Sequence, residues 1–408
     1  MSSTRPIATA CLPACVLLLC STAFPVHAEQ PHGASFEWDA RLRHERVDDD
    51  AFALRADAST LRLRAGLRFA SGNGWNGLLE AEAIAAGGDY NSGANGRSER
   101  PQVVDPRGVE LNQAWLGWKG ARGGFALGRQ RLLFDNQRWI GNSGWRQNEQ
   151  TFDALAVDFA PRKDLALRYA FLDRVHRVNG DDARDPLARE RALSAHLFNA
   201  AWKRGNQQLS GYAWLHEDRD VASASSATWG LRWTGMQPLA AGKLGWTLEA
   251  ARQRDHAGNP LRFSHAYWLA EPTLTLRGIT ACAGWEHLGG NGSHALQTPL
   301  ASLHAFNGWA DKFTNTPAAG LDDRYLGLGG NFGRERAGTR AAWQLAWHDY
   351  RATHGSVHYG SEWNASLGLP LAKGVSALLK LADYRADRYA RDTRKLWLQV
   401  EYKGGTTR

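Results

Sequence analysis

From Phe36 onward, apolar and polar residues alternate with a period of two, in segments of about ten residues. In the run Leu61 to Phe69 the odd positions are Leu61, Leu63, Ala65, Leu67 and Phe69, while Arg62, Arg64 and Arg68 fall on the other face. Phe36, Trp38, Ala40 and Leu42 alternate in the same way with Glu37, Asp39, Arg41 and Arg43, and Leu79, Ala81 and Ala83 alternate with Glu80 and Glu82. Leu165, Leu167, Tyr169 and Phe171 form another apolar face. A soluble sandwich also alternates, but its polar face rarely carries so many full charges. Repeated charges on one face suit a water-filled lumen.

Further segments follow near Val109–Trp118, Gly124–Arg131, Phe152–Phe159, Ser194–Trp202, Leu209–Leu215, Thr228–Trp233 and Leu244–Arg252. The rest lie near Phe263–Leu269, Leu274–Gly284, Arg324–Asn331, Ala341–His348, Ser361–Leu369, Val375–Asp383 and Leu396–Tyr402. Together they predict about 18 strands, an even number as bacterial barrels require. The connections fall into two alternating classes. Gly72–Asn76, Lys119–Gly123, Ala160–Asp164, Lys203–Gln207, Ala270–Thr273 and Leu369–Gly374 are short, whereas 87–108, 131–151, 173–191 and 287–321 are long. Short periplasmic turns and long external loops produce that alternation. The expected fold is all-β: a transmembrane antiparallel up-and-down barrel with both termini in the periplasm.

Composition agrees. The mean hydropathy is −0.46, yet the chain holds 18 Trp, 14 Phe and 10 Tyr. A barrel presents every other residue to lipid, so its mean hydropathy stays low, and its aromatic residues populate two girdles. The first 28 residues read as a secretory signal: Arg5 supplies the positive region, Ile7 to Cys20 the apolar core, and Val26-His27-Ala28 the cleavage site. That core is too short to span a bilayer. Leu19 before Cys20 argues against a lipoprotein signal, because that position wants a small residue. Residues 29–408 then form one barrel domain in the bacterial outer membrane. Cys11, Cys15 and Cys20 leave with the signal, so Cys282 remains alone; it offers neither a disulfide nor a cysteine metal cluster.

The net charge is +8, and the basic residues are mostly arginine. The planar guanidinium fork suits carboxylate or phosphate, although a GC-rich genome also enriches arginine. On the lumen wall, Arg62, Arg64 and Arg68 lie between Glu37/Asp39 and Glu80/Glu82, which predicts cross-strand charge ladders. Only arginines left over from such ladders can select an anion.

Two stretches are irregular enough to be specific. The first runs Gly128-Arg129-Gln130-Arg131-Leu132, then Phe134 to Gly141, Trp145-Arg146-Gln147-Asn148 and Phe152-Asp153. The second runs Thr298 to Phe313, then Thr316-Pro317 and Gly320-Leu321. With Lys380-Leu381-Ala382-Asp383-Tyr384, Asp392-Thr393 and Lys395-Leu396-Trp397, they resemble the alginate-export family of outer-membrane barrels. The resemblance covers essentially the whole mature chain. It implies an 18-stranded barrel with an arginine-rich pore for an acidic polysaccharide. The chain departs from the family at its end: the last strand is expected to stop at Tyr402, with Lys403 to Arg408 as a tail.

A passive channel needs a hole, a constriction and a potential, and no catalytic group or cofactor. The loop 131–151 is the candidate constriction. Folded inward, Arg129, Arg131, Arg138 and Arg146 would offer forks to a passing carboxylate; Gln130, Gln137, Gln147 and Asn148 would meet sugar hydroxyls, and Trp139 or Trp145 a pyranose face. Alternatively, Asp135, Glu149 and Asp153 hold these arginines and the loop packs structurally. The expected partners are outer-membrane lipid and lipopolysaccharide, an acidic saccharide or small organic anion, and, for export, periplasmic proteins. The rivals are an unselective porin, an outer-membrane hydrolase and a plugged structural barrel. The hydrolase lacks its motifs: Gly141-Asn142-Ser143-Gly144 is followed by Trp145, and His216-Glu217 has no second histidine, although His304 and Asp311, or His348 and Asp349, could meet in space. A nucleic-acid role fits neither the signal nor the dispersed charge.

Overall fold

The structure, a computed structural model, describes residues 33–333 and 340–406; the expected secretory signal, residues 1–28, lies outside them. Among the described residues the strands are β1 (Gly33–Asp49), β2 (Ala56–Ala70), β3 (Trp75–Asp89), β4 (Gly108–Lys119), β5 (Gly123–Gln130) and β6 (Thr151–Arg162). They continue with β7 (Leu165–His176), β8 (Glu190–Arg204), β9 (Gln207–Asp218), β10 (Ser226–Leu239), β11 (Gly242–Asp255) and β12 (Ser264–Leu276). The last are β13 (Ile279–Leu288), β14 (Leu321–Phe332), β15 (Ala341–Arg351), β16 (His358–Ala372), β17 (Val375–Ala386) and β18 (Thr393–Thr406). Each pairs antiparallel with its neighbours in sequence, and β1 pairs with β18, so the sheet closes on itself without an edge.

The period of two sets inside against outside. On β2, Leu61, Leu63 and Leu67 are 47, 47 and 54% exposed, whereas Arg62 and Arg64 are 1 and 5% exposed. The apolar face therefore meets lipid, and the charged face points inward into packed protein. Trp38, Trp75, Trp118, Trp202 and Trp233 lie near the turn ends of their strands on the outer face, as an aromatic girdle would.

Two strand boundaries differ from the sequence reading. Ala270–Thr273 reads as a short connection, but β12 runs through it and the chain reverses at Arg277-Gly278. Both of those residues have positive φ, 49° and 83°, as a two-residue type I′ hairpin requires. Pro272 is tolerated because it opposes Trp246 on β11, while the ladder to β13 skips Glu271 and Pro272 and resumes at Thr273↔Cys282. The other difference is at the end. Tyr402 does not close the last strand: Lys403, Gly404 and Gly405 continue it opposite Asp39, Trp38 and Glu37. Strand β1 starts early enough to give them a partner, and Gly404 leaves room for the Trp38 and Tyr402 rings, whose centroids are 4.6 Å apart.

Candidate functional site

Two long connections, 131–150 and 289–320, fold into the lumen and interlock. The Gly141 amide donates to the Leu300 carbonyl at 2.9 Å, and the Ser302 amide to the Gln137 carbonyl at 3.1 Å. The Gln150 side-chain amide donates to the carbonyls of Gly141 and Leu300 at 2.8 and 3.0 Å. Between the loops and the wall lies an apolar cluster that includes Leu132, Phe134, Trp139, Ile140, Trp145, Leu296, Leu300, Trp309 and Phe313 with wall residues such as Phe152, Tyr212, Tyr350 and Trp397. The loops thus pack as a layer across the barrel.

The wall on the β11–β16 side grips this layer with carboxylates. Trp139 Nε1 donates to Glu249 at 2.8 Å, and Tyr212 donates to the same oxygen at 2.6 Å. Glu286 takes Arg138 Nε at 2.6 Å and the Tyr267 hydroxyl at 2.8 Å. Glu362 accepts the backbone amides of Trp309 and Ala310 at 2.6 and 2.8 Å. Asn307 bridges Glu286 and Asp323 at 2.7 and 3.1 Å.

The opposite wall, β1, β2, β17 and β18, is basic. Arg41 Nη1 donates to the carbonyls of Gly144, Trp145 and Arg146 at 3.1, 3.2 and 3.3 Å. Arg43 Nη2 donates to the Trp145 carbonyl at 2.6 Å, and Arg64 Nη2 to the Gln147 carbonyl at 3.3 Å. Lys395 pairs with Asp311 at 2.8 Å, and Lys380 donates to His304 Nε2 at 2.6 Å. Lower down, Arg62 pairs with Asp39, Arg64 with Glu82 and Glu149, and Arg68 with Glu37 at 2.7 Å. Glu80 takes Arg131 at 2.8 Å and the side-chain amides of Asn112 and Gln113 at 2.7 and 2.9 Å.

Of the four loop arginines picked from the sequence, Arg129 is misplaced. It opposes Ala114 and Asp153 in the column that continues through the lipid-facing Leu127, so it points outward and pairs with Asp153 at 3.0 Å. The period of two decides this: Gln130 is the inward neighbour, spent on the carbonyls of Ala126, Gly128 and Ala154. Arg131 points inward and bonds Glu149 and Glu80. Arg138, only 2% exposed, holds Glu286, Thr298 and Asn307 together, the last two at 3.1 Å. Arg146 joins Asp311 at 3.0 Å and lies 3.6 Å from Glu45.

Gln147 is buried and donates to the Thr60 hydroxyl at 2.9 Å, and Asn148 reaches Glu110 at 3.2 Å. Trp139 packs edge-on against Tyr267 at 5.1 Å. Trp145 stacks on His304 at 4.6 Å and carries Arg43 4.1 Å from its ring centre. Lys380 also lies 4.0 Å from the Trp145 ring centre, and both indoles are buried.

Burial works against every charge in the layer, and neighbours decide the outcome. Burial would raise Glu149, but Arg64 and Arg131 hold it down at about 2. Burial would lower Arg138 and Arg146, but Glu286, and Asp311 with Glu45, raise both. Burial would raise Asp311, but His304, Lys395 and Arg146 hold it well below the usual carboxylate range. For His304 burial prevails, aided by Lys380 and against Asp311, and its pKa falls well below the ordinary value.

His304 and Asp311 do meet, at 2.7 Å, but the far nitrogen faces an ammonium, not a nucleophile. His348 bonds Asp323 at 2.9 Å, while Asp349 takes His358 at 2.8 Å. Among the described residues no group of three His, Cys, Asp or Glu side chains is placed to hold a metal. The alternation put Arg41 and Arg43 on the polar face, yet sequence reasoning did not single out these two, nor Glu249, Glu286 and Glu362, as site residues. Their partners come from loops 52 to 148 residues away, a pairing that periodicity does not carry.

The fold recurs in solved porins. Acinetobacter baumannii OccAB2 superposes with a TM-score of 0.72 at 13% identity, covering 92% of this chain and 98% of that one. Pseudomonas aeruginosa OccK9 (OpdG) gives 0.71 at 14%, covering 91 and 98%. Pseudomonas aeruginosa OpdK, solved with vanillate, gives 0.66 at 16%, covering 92 and 100%. No curated protein sequence matches significantly. The family model described as alginate export matches residues 33–281, more than half the chain. With a closed barrel, a lipid-facing apolar belt and inward-folded loops, the chain belongs to the alginate export family and is a porin-like barrel of the bacterial outer membrane.

Proposed function

We propose that the barrel passes anionic solutes passively, acidic saccharides such as alginate or other uronates among them, along the basic wall of β1 and β2. The observation that carries this reading is a set of unspent donors. Arg62 Nε and Nη1 and Arg41 Nε are buried and have no hydrogen-bond partner, while Arg41 Nη2 pairs with Glu401 at 3.1 Å and Glu45 and Glu82 keep buried unpartnered oxygens nearby. A buried donor without an acceptor costs about 1–3 kcal/mol, so an entering carboxylate gains what the resting wall lacks. The vanillate of the OpdK structure is itself a carboxylate, which fits the same chemistry.

The wall also suggests how the path opens. Segment 144–147 rests on Arg41, Arg43 and Arg64 through neutral carbonyls. A carboxylate makes charge-assisted bonds roughly twice as strong as neutral ones. It therefore displaces those carbonyls, and the loop yields as the solute advances. Several such sites in series keep residence short. In export, periplasmic proteins would deliver the polymer to the turn end of the barrel.

The second reading is a porin of little selectivity. It is favoured by the pairing of Arg131, Arg138 and Arg146 with carboxylates, which cancels much of the loop charge. Liposome swelling separates the two. Galacturonate entering clearly faster than galactose supports the anion channel; equal rates at equal size support the unselective porin.

A further inference from the structure

We infer that the outer wall, near the ends of β9, β10 and β11, carries a binding site for the phosphorylated headgroup of an outer-leaflet lipid. The inference rests on the outer-membrane location and concerns the lipid-facing side, not the lumen.

A cavity of about 530 Å³ opens there, lined by the apolar Leu215, Ala227 and Trp229 and by the polar Arg254, Asp255, His256 and Arg262. Its place in the membrane follows from register. Ala227 pairs with Leu215 on one side and Arg254 on the other, so the three share one face. Trp229, Leu231 and Trp233 continue that face downward, 39, 59 and 41% exposed, which makes it the lipid side. The connections above the cavity, 219–225 and 256–263, are of the longer, external class, and the short turns 205–206 and 240–241 lie at the other end of these strands. The cavity is therefore at the height of outer-leaflet headgroups, with acyl chains beneath.

Its chemistry is amphipathic in the same sense. Several outward arginines at this rim are neutralised: Arg46 by Asp57 at 2.7 Å, Arg219 by Asp173 at 2.8 Å, Arg351 by Asp349 at 2.9 Å and Arg385 by Asp392 at 3.1 Å. Arg254 has no ion-pair partner among the described residues; its guanidinium lies 4.9 Å from the Trp229 ring centre. The indole fixes the guanidinium plane and leaves its N–H edge to a ligand. Arg262 gives Nη1 to Asp255 at 2.5 Å, but its side chain is 82% exposed. Asp255 is itself held by Arg262 and by the Phe263 amide at 3.1 Å, so it does not compete for Arg254. Two guanidiniums beside an apolar lining match a phosphate that is tethered to acyl chains.

Native mass spectrometry of the folded barrel in detergent, with diphosphorylated lipid A added, tests this. The site predicts one retained lipid that survives millimolar inorganic phosphate. Retention drops at least tenfold with Arg254→Gln/Arg262→Gln, and by a smaller factor with Arg254→Gln alone. Lys163→Gln, in a turn at the opposite end, leaves retention unchanged. Heat-modifiable gel migration verifies that each variant is folded. Equal retention by the folded double variant, or equal retention of dephosphorylated lipid A, overturns the assignment. Displacement by inorganic phosphate alone also overturns it, by making the site one for free phosphate. None of these results bears on passage through the lumen, which the swelling assay reads separately.

Discussion

Lys380 on the barrel wall donates to Nε2 of His304 in the inward loop, 2.6 Å away, while Asp311 takes the Nδ1 proton at 2.7 Å. The Lys380 bond holds only while Nε2 is unprotonated, whereas the bond to Asp311 survives in either form. A proton on Nε2 removes the acceptor and sets two cations against each other, beside Arg146 and Lys395, which also face Asp311.

This gives the loop layer a pH dependence with a definite sign. The pKa of His304 is depressed in the folded barrel, so below about 6.5 the loosened state binds the extra proton. The layer therefore weakens as pH falls from 7 toward 5. Asp311 and Glu149, whose pKa values are lowered, add a loss only below about pH 5, where their contributions fade progressively toward the depressed values. Hydrogen exchange of residues 303–313 is expected to speed up at least several-fold between pH 7 and pH 5 relative to strand amides, after correction for intrinsic rates. Unchanged protection would sink the idea.

Arg138→Ala leaves Glu286 and the Asn307 oxygen without their cation in a site the structure seals from solvent. Breaking a buried pair on one side costs about 3–5 kcal/mol. The closed barrel does not depend on this pair, so the loss falls on the loops. Single-channel recordings should show a larger or longer-lived open state, with the heat-modifiable shift of the barrel kept. Wild-type gating would contradict the role given to Arg138.

The Ser143 amide lies 2.9 Å from the Ser302 hydroxyl, where the two loops cross. Cysteines at 143 and 302 should join under oxidation and tie the layer shut. Conductance is expected to fall severalfold and to return with reductant. No change in a channel whose crosslink is verified by mass spectrometry would mean that the loops do not have to separate.

The sequence carried the barrel better than its contents. Alternation is a local property: Arg62 opposite Leu61 and Leu63 suffices to place a strand face, and the same signal located all the strands. It failed where a local cue competed. The pattern marks Ala270–Thr273 as a short connection, but β12 runs through it and the ladder to β13 merely has a gap at Glu271 and Pro272. Tyr402 looked like an end because an aromatic often is one, but β1 reaches far enough to pair with Gly405. The loop layer is different in kind. That Arg41 meets the carbonyls of Gly144 and Trp145, or Arg138 meets Glu286, follows from how two long loops fall across a closed wall, and no short-range pattern encodes it. Arg129 and Arg131 show the limit: two residues apart, both next to glutamine, one outside and one inside because the strand ends between them.

The central claim is that unspent guanidinium donors on the β1–β2 wall select anions. Reversal potential in a salt gradient across a planar bilayer tests it most directly, with wild type and Arg62→Gln compared before and after short polyuronates are added. Anion selectivity in the wild type, concentration-dependent block by the polyuronates, and a weakening of both in the folded variant are expected. A reversal potential near zero in the wild type, with no block, would contradict the claim.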